Sequence, residues 1–362
     1  MVIGGEHVFF DYISKKKSDR HFKLITDKLS SDYNINYTFG GYYSLLAIVD
    51  YIIAKNEKGF NVLLPSYLCP SMLKPFDLRG IEYTFYIVDD NLRINIEHLQ
   101  SCVKETTKAA LFIDYFGASQ KIKLEQTLDL FRSKSIYIIQ DIVQCLELNK
   151  STFFGDFIFN SFRKFLPIEG SLLLSTVPMD INFTRRIFFP VYFKRLGQIL
   201  RHLKLVLGFV PSQLFLCAFR AFDFRYYKSL IFRMPYLNMI YIKKIDFKAM
   251  IESQLSNYHI LNFLYKDRIP ELLVEQNKTL VPLGLVIKVK NRDVFRAYLY
   301  RNNIFAPIHW RLSDKIDRIF FYQSWELSEK IITIPIINLS QEKVNYLINK
   351  LNFYFKNYEN LS

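Results

Sequence analysis

Lys164 stands in the stretch Phe159-Asn160-Ser161-Phe162-Arg163-Lys164-Phe165-Leu166, just after the strand-like run Phe157-Ile158-Phe159. Apolar surroundings disfavour an ammonium charge, so a lysine here can be held partly neutral and act as a nucleophile or a base. Asp141 and Gln144 follow the apolar run Ile136 to Ile139. A carboxylate just past a buried strand is placed to hold a protonated ring nitrogen, and an amide three residues on can reach a ring oxygen. Gly40-Gly41 precede a helix that begins near Tyr42. A glycine turn at a helix N-terminus is an anion site, because free N–H groups and the helix dipole point the same way. Ser161, three residues before Lys164, can donate to a phosphate. Each feature also has an ordinary reading by itself. Asp141 can be a cap or turn residue, Lys164 can lie along the surface with its charge in water, and a glycine pair can be only a turn.

The elements that must position these groups read as follows. Apolar runs at 61–65, 83–88, 109–114 and 135–139 are strand candidates, and 42–54 and 123–133 between them are helical. Buried runs alternating with helices imply a parallel sheet covered on both faces, with right-handed crossovers. Groups that do chemistry then belong at the C-terminal ends of the strands. Residues 184–245 are rich in Arg, Lys, Phe, Tyr and Leu. They read as amphipathic helices packing on the sheet or on a second subunit; the alternatives are a basic aromatic face on an anionic membrane and a substrate-covering insertion. A helical stretch over 247–273, strands at 285–289 and 331–336, and a last helix over 340–358 with Ser340 as N-cap make an α+β pattern. The expected division is a large α/β domain over 1–245 and a small α+β domain over 246–362.

With 362 residues, half of them hydrophobic and 17% aromatic, the chain has core material for both domains, and its composition excludes a disordered protein. Cys69, Cys102, Cys145 and Cys217 form no CxxC pair and no metal-ligand spacing. This points to reduced thiols in a cytoplasmic protein and to no metal. The opening residues lack the order of a signal peptide, and the apolar stretch Leu205 to Phe219, broken by Pro211, falls short of a bilayer span. The net charge of +14 suits an anionic partner. No zinc-finger or RNA-binding motif accompanies it, so nucleic acid is not expected.

An amine for a Schiff base, a carboxylate for a pyridine nitrogen and a donor cradle for a phosphate are together what pyridoxal 5'-phosphate (PLP) demands of a protein. In this order along the chain they resemble the DegT-type sugar aminotransferases, PLP enzymes of fold type I in the aspartate-aminotransferase superfamily. Ile3-Gly4-Gly5-Glu6 resembles that family's opening, and Phe39-Gly40-Gly41-Tyr42-Tyr43-Ser44 its phosphate-binding turn and helix. Leu64-Pro65-Ser66-Tyr67, Tyr115-Phe116-Gly117, Asp141 with Gln144, Ser161 with Lys164, and Glu169-Gly170-Ser171 match its later motifs in order. Ala306-Pro307-Ile308-His309-Trp310 and the run 327–336 resemble its small-domain signatures. Gly41 stands where the family has a threonine, and the G-x-N-x-R stretch that reaches the neighbouring subunit's cofactor is not visible.

The resemblance implies an aspartate-aminotransferase-like fold with a mostly parallel sheet, and a homodimer with active sites at the interface. It implies an internal aldimine on Lys164, Asp141 on the ring nitrogen, Gln144 at the ring's 3-oxygen, and Ser161, Gly40 and Gly41 on the phosphate. Tyr67 or Cys69 would lie against the ring, and His309 would line the substrate entrance or simply be packed. The implied substrate is a nucleotide-linked keto sugar aminated at the expense of glutamate, in surface polysaccharide synthesis. A rival reading keeps the fold without turnover, as a scaffold beside a membrane-bound synthesis complex that touches the bilayer through 184–245. Sugar dehydration is a third outcome, disfavoured because a known dehydratase branch has histidine where Lys164 stands.

Overall fold

The computed structural model describes residues 1–5, 21–56, 59–186, 188–266 and 281–358. Its strands in chain order are β1 (Ile3–Gly4), β2 (Asn34–Thr38), β3 (Asn61–Pro65), β4 (Glu82–Tyr86), β5 (Thr107–Ile113), β6 (Tyr137–Asp141), β7 (Phe157–Phe159), β8 (Ser171–Ser175), β9 (Gly284–Lys288), β10 (Ile304–Phe305) and β11 (Ile331–Pro335). The strands expected from their apolar runs are present. The run at 135–139 begins pairing only at Tyr137, because Ser135 takes a positive φ of 54° as the chain leaves the helix Lys121–Ser133. The expected helix over 247–273 is described as Phe247–Tyr265; part of the remainder lies outside the described residues, as does Glu6 of the opening motif.

The chain forms two compact units, one of Met1–Gly5, Lys58–Gly155 and Lys248–Ser362, the other of Glu6–Glu57 and Asp156–Phe247. The sequence division at 245/246 follows chain order, whereas these units are discontinuous; one of their junctions, Phe247/Lys248, falls beside it.

In the first unit β6, β5, β3 and β4 run parallel in that order. Asn61–Pro65 is buried at every position, as a strand covered on both faces must be. The last third of the chain adds an antiparallel pair, β9 with β11. Leu285, Ile287, Ile332 and Ile334 from these strands share a core with Leu261, Phe295, Val344 and Leu351 from the helices Phe247–Tyr265, Arg292–Arg301 and Gln341–Tyr358. Ser340 caps the last of these, its hydroxyl 3.4 Å from the Lys343 N–H.

The second unit carries β2, β8 and β7 as antiparallel neighbours, with Thr38 opposite Ser171. The helix Gly41–Lys55 packs on them and buries Tyr43, Ser44, Leu45 and Leu46. Residues 184–245 supply the helices Val191–Leu207, Ser212–Arg225 and Tyr236–Lys243. Gly208, at φ 79°, ends the first of them, so the apolar stretch across Pro211 is split in two. No helix among the described residues is long and apolar enough to cross a membrane.

A buried ion pair fastens this helical segment to the chain around Lys164. Lys194 Nζ lies 2.9 Å from Glu169 Oε1, off the line of a hydrogen bond, with both side chains almost fully buried. Arg195 donates to the Pro167 carbonyl at 3.2 Å, and the Gln198 amide donates to it at 2.8 Å. Removing one member of such a pair strands the other charge, at a cost of about 3–5 kcal/mol, whereas replacing both by apolar groups is near neutral. Lys194→Met is therefore expected to lower unfolding free energy by about that amount, and Lys194→Met with Glu169→Leu to restore most of it. Denaturant titration of the three proteins checks this; equal losses in single and double variants would contradict it.

Candidate functional site

Gly40 and Gly41 open the helix Gly41–Lys55, where the first N–H groups have no partner within the helix. No backbone hydrogen bond among the described residues uses either glycine N–H, while the Gly40 carbonyl accepts from Tyr43 and Ser44 in the first turn. A relay of buried hydroxyls sets the turn in place. Ser171 Oγ donates to the Asn160 carbonyl at 2.6 Å and so must accept from Ser44 Oγ at 2.8 Å. Ser44, its proton spent, accepts from Thr38 Oγ1 at 2.7 Å, and Thr38 shares its proton with the Gly40 carbonyl at 3.1 Å. The glycine turn is thereby tied to the end of β7, where Ser161 and Lys164 follow.

Ser161 is buried, and its hydroxyl caps nothing in the short 3-10 turn Phe162–Lys164. Lys164 is half-buried on that turn, between the buried Phe162 and Phe165. The apolar setting expected for it is present, held by Phe162 N–H on the Gly170 carbonyl at 2.9 Å and Leu166 N–H on the Phe162 carbonyl at 2.8 Å.

Asp141, Gln144, Tyr67 and His309 belong to the other unit. Asp141 ends β6, buried, with Oδ1 accepting the Val143 N–H at 2.7 Å. Gln144 Oε1 accepts the Phe116 N–H at 2.7 Å. A backbone N–H can only donate, so the amide oxygen faces it and Nε2 points away, buried and without a hydrogen-bond partner. Such an orphan donor costs about 1–3 kcal/mol, a cost an acceptor on a ligand would remove. Phe116 itself holds a positive φ of 55°, between Gln144 and the Leu283 N–H that its carbonyl accepts at 2.9 Å.

His309 is brought to the same place. Its ring stands edge-on to Phe116 at 5.7 Å, its Nδ1 is 3.0 Å from Thr333 Oγ1, and its carbonyl accepts the Tyr67 hydroxyl. Tyr67 is fully buried against Tyr115 and Trp310, whereas Cys69 is half-buried with its thiol 3.0 Å from Ser71 Oγ.

Two neighbours of these residues escaped the sequence reading. Asp114, at the end of β5, is buried beside the Asp141 strand: its Oδ2 accepts Gln140 Nε2 at 2.8 Å, its Oδ1 the Gln120 N–H at 3.1 Å, and its own N–H donates to the Asp141 carbonyl at 3.0 Å. Burial pushes its carboxyl up to about 7 against these hydrogen bonds. Its strand was legible, but nothing in one sequence says which strand-end acid is desolvated. Tyr226 lies far from Gly40 in the chain, yet its hydroxyl stands 2.1 Å from where a Cβ on Gly40 would be.

The comparisons bear on this geometry. No family model matches the chain, and no curated protein matches it in sequence. Solved structures do. A sugar aminotransferase from Micromonospora echinospora is 11% identical, with 94% of this chain and 93% of that one covered and a TM-score of 0.64. A DegT DnrJ EryC1 StrS aminotransferase from Brucella abortus is 17% identical over 95% and 91%, TM-score 0.63. GDP-4-keto-6-deoxy-D-mannose-3-dehydratase from E. coli, with bound hydrated PLP, is 14% identical over 94% and 92%, TM-score 0.61. The chain has the α/β fold that these proteins share, and the fold expected from its motif order is borne out.

Two outcomes follow. Asp114 carries a raised value in the folded chain and an ordinary one, near 4, in the unfolded chain, so the folded state holds the extra proton between about pH 4 and 7. Its contribution to stability is present below that window and is lost as pH rises through it, by at most about 1.4 kcal/mol per pH unit. The melting temperature of wild type minus that of Asp114→Asn should fall from pH 4 to 7, and a constant difference would contradict this. Gly40→Ala should destabilise by about 1–3 kcal/mol through collision with the Tyr226 hydroxyl. Tyr226→Phe in the same chain should relieve it, because the next ring atom is 3.4 Å away; thermal melts of the single and double variants decide.

Proposed function

We propose that the chain is a PLP-dependent aminotransferase of the DegT type, acting on a keto sugar carried on a nucleotide diphosphate. The observation that carries this reading is a set of unspent donors in a fold shared with PLP-dependent sugar enzymes. Gln144 Nε2 is buried without a partner, and the Gly40 and Gly41 N–H groups make no hydrogen bond among the described residues. These groups fit the cofactor's ring oxygen and phosphate.

When bound, PLP supplies an electron sink for a carbanion next to nitrogen. The chain supplies the rest. Lys164 is the amine that bonds the cofactor and, once released, the base and acid that moves a proton between the two carbons of the transamination. Asp141 keeps the ring nitrogen protonated, and Gln144 donates to the ring oxygen. Ser161 with the two glycine amides grips the phosphate, and His309 lines the entrance for the sugar. Tyr67 and Cys69 both remain candidates for the ring face.

The same reading takes glutamate as donor, surface polysaccharide synthesis in the cytoplasm as setting, domains over 1–245 and 246–362, and a homodimer, which light scattering checks. It also takes a peripheral contact of 184–245 with anionic lipid, supported by the basic composition of that segment and by Phe209 and Phe224, 75% and 86% exposed. Co-sedimentation with anionic against neutral vesicles checks that contact.

Purified protein should take up PLP with a visible absorbance band that Lys164→Ala abolishes. With glutamate and a panel of nucleotide-linked keto sugars, mass spectrometry should find an amino sugar. A protein that stays colourless with added PLP contradicts the reading and favours the scaffold; a coloured protein that aminates no keto sugar contradicts the substrate class.

A further inference from the structure

Tyr226 belongs to the basic aromatic segment, and neither the motifs nor the mechanism above gives it a role. Its ring is 2% exposed, walled by Phe39, Tyr43 and Phe222 with centroids 6.0, 5.6 and 5.4 Å away. The Tyr226 carbonyl accepts the Tyr43 hydroxyl, but no hydrogen bond among the described residues uses the Tyr226 hydroxyl itself. The hydroxyl is aimed at the glycine turn, 2.1 Å from the place a Gly40 Cβ would take, so only glycine fits beneath it. It thus stands beside the two glycine N–H groups that are also unspent, at the positive end of a 15-residue helix.

Charge at this spot is arranged for an anion. The Arg163 guanidinium lies 4.8 Å from the Tyr226 ring centroid. The nearby carboxylate, Glu169, is offset by Lys194 at 2.9 Å. Burial raises the phenol far above its ordinary value, which keeps the hydroxyl protonated and able to donate.

We propose that Tyr226 is an anion-binding residue of the glycine turn, donating its hydroxyl to the phosphate monoester that the Gly40 and Gly41 amides receive. The inference rests on the cofactor reading and deepens it. The stretch that in the resembled family reaches over from the neighbouring subunit is not visible in this chain, and the segment in its place supplies a phosphate donor from within the same chain. Arg163 is a positioning residue that holds the phenol ring and adds positive charge.

The test is equilibrium binding of PLP, of pyridoxal without its phosphate, and of inorganic phosphate to the full chain and to Tyr226→Phe. The variant removes one oxygen and leaves the ring packed; its melting curve confirms folding. A hydrogen bond to a charged group corresponds to about a ten- to hundredfold change in affinity. Tyr226→Phe should weaken PLP and inorganic phosphate by about that factor and leave pyridoxal unchanged. Equal PLP affinity in both proteins, or an equal loss for pyridoxal, overturns the proposal while the cofactor reading stands. A wild-type chain that binds none of the three overturns both.

Discussion

The hydroxyl relay from Thr38 through Ser44 and Ser171 to the Asn160 carbonyl is the constraint on which the candidate phosphate site depends. A buried hydroxyl must donate its one proton and accept another, so each link fixes the direction of the next. Because Ser171 spends its proton on Asn160, donation runs one way toward the Asn160 carbonyl, and Thr38 at its start also donates to the Gly40 carbonyl. A turn that would otherwise be free to bend is thereby locked against the loop that carries Ser161 and Lys164. The antiparallel register that sets Thr38 opposite Ser171 brings the relay's ends within reach. Local structure, packing and site are one arrangement here.

Against this closed relay one unspent group stands out. A core that satisfies Thr38, Ser44 and Ser171 leaves Gln144 Nε2 buried without a partner. It costs stability in the free chain, and native cores retain few such groups. The strained Phe116 backbone, held between Gln144 and Leu283, has the same character: a local cost kept where the surroundings over-determine it.

Much of this was legible in the sequence, and what was not has physical causes. Strands such as Asn61–Pro65 are continuous apolar runs, and burial on both faces requires that. Lys164 and Asp141 were singled out because a charge next to a buried strand is conspicuous. The short strands β2 and β8 were not singled out; β2 alternates polar and apolar residues over only five positions and is half-buried. Tyr226 was hidden for another reason. In a segment crowded with tyrosine and phenylalanine its type carries no signal, and its approach to Gly40 joins residues nearly two hundred positions apart. The desolvation of Asp114 was equally out of reach, since it depends on burial that only the folded chain creates.

The central claim is that Lys164 is the lysine that bonds the cofactor. The most direct measurement is borohydride reduction of the PLP-loaded protein, followed by peptide mapping by mass spectrometry. The account predicts one modified peptide, carrying the cofactor's mass on Lys164. A modification on another lysine, or no modified peptide from a protein that has taken up PLP, would contradict it.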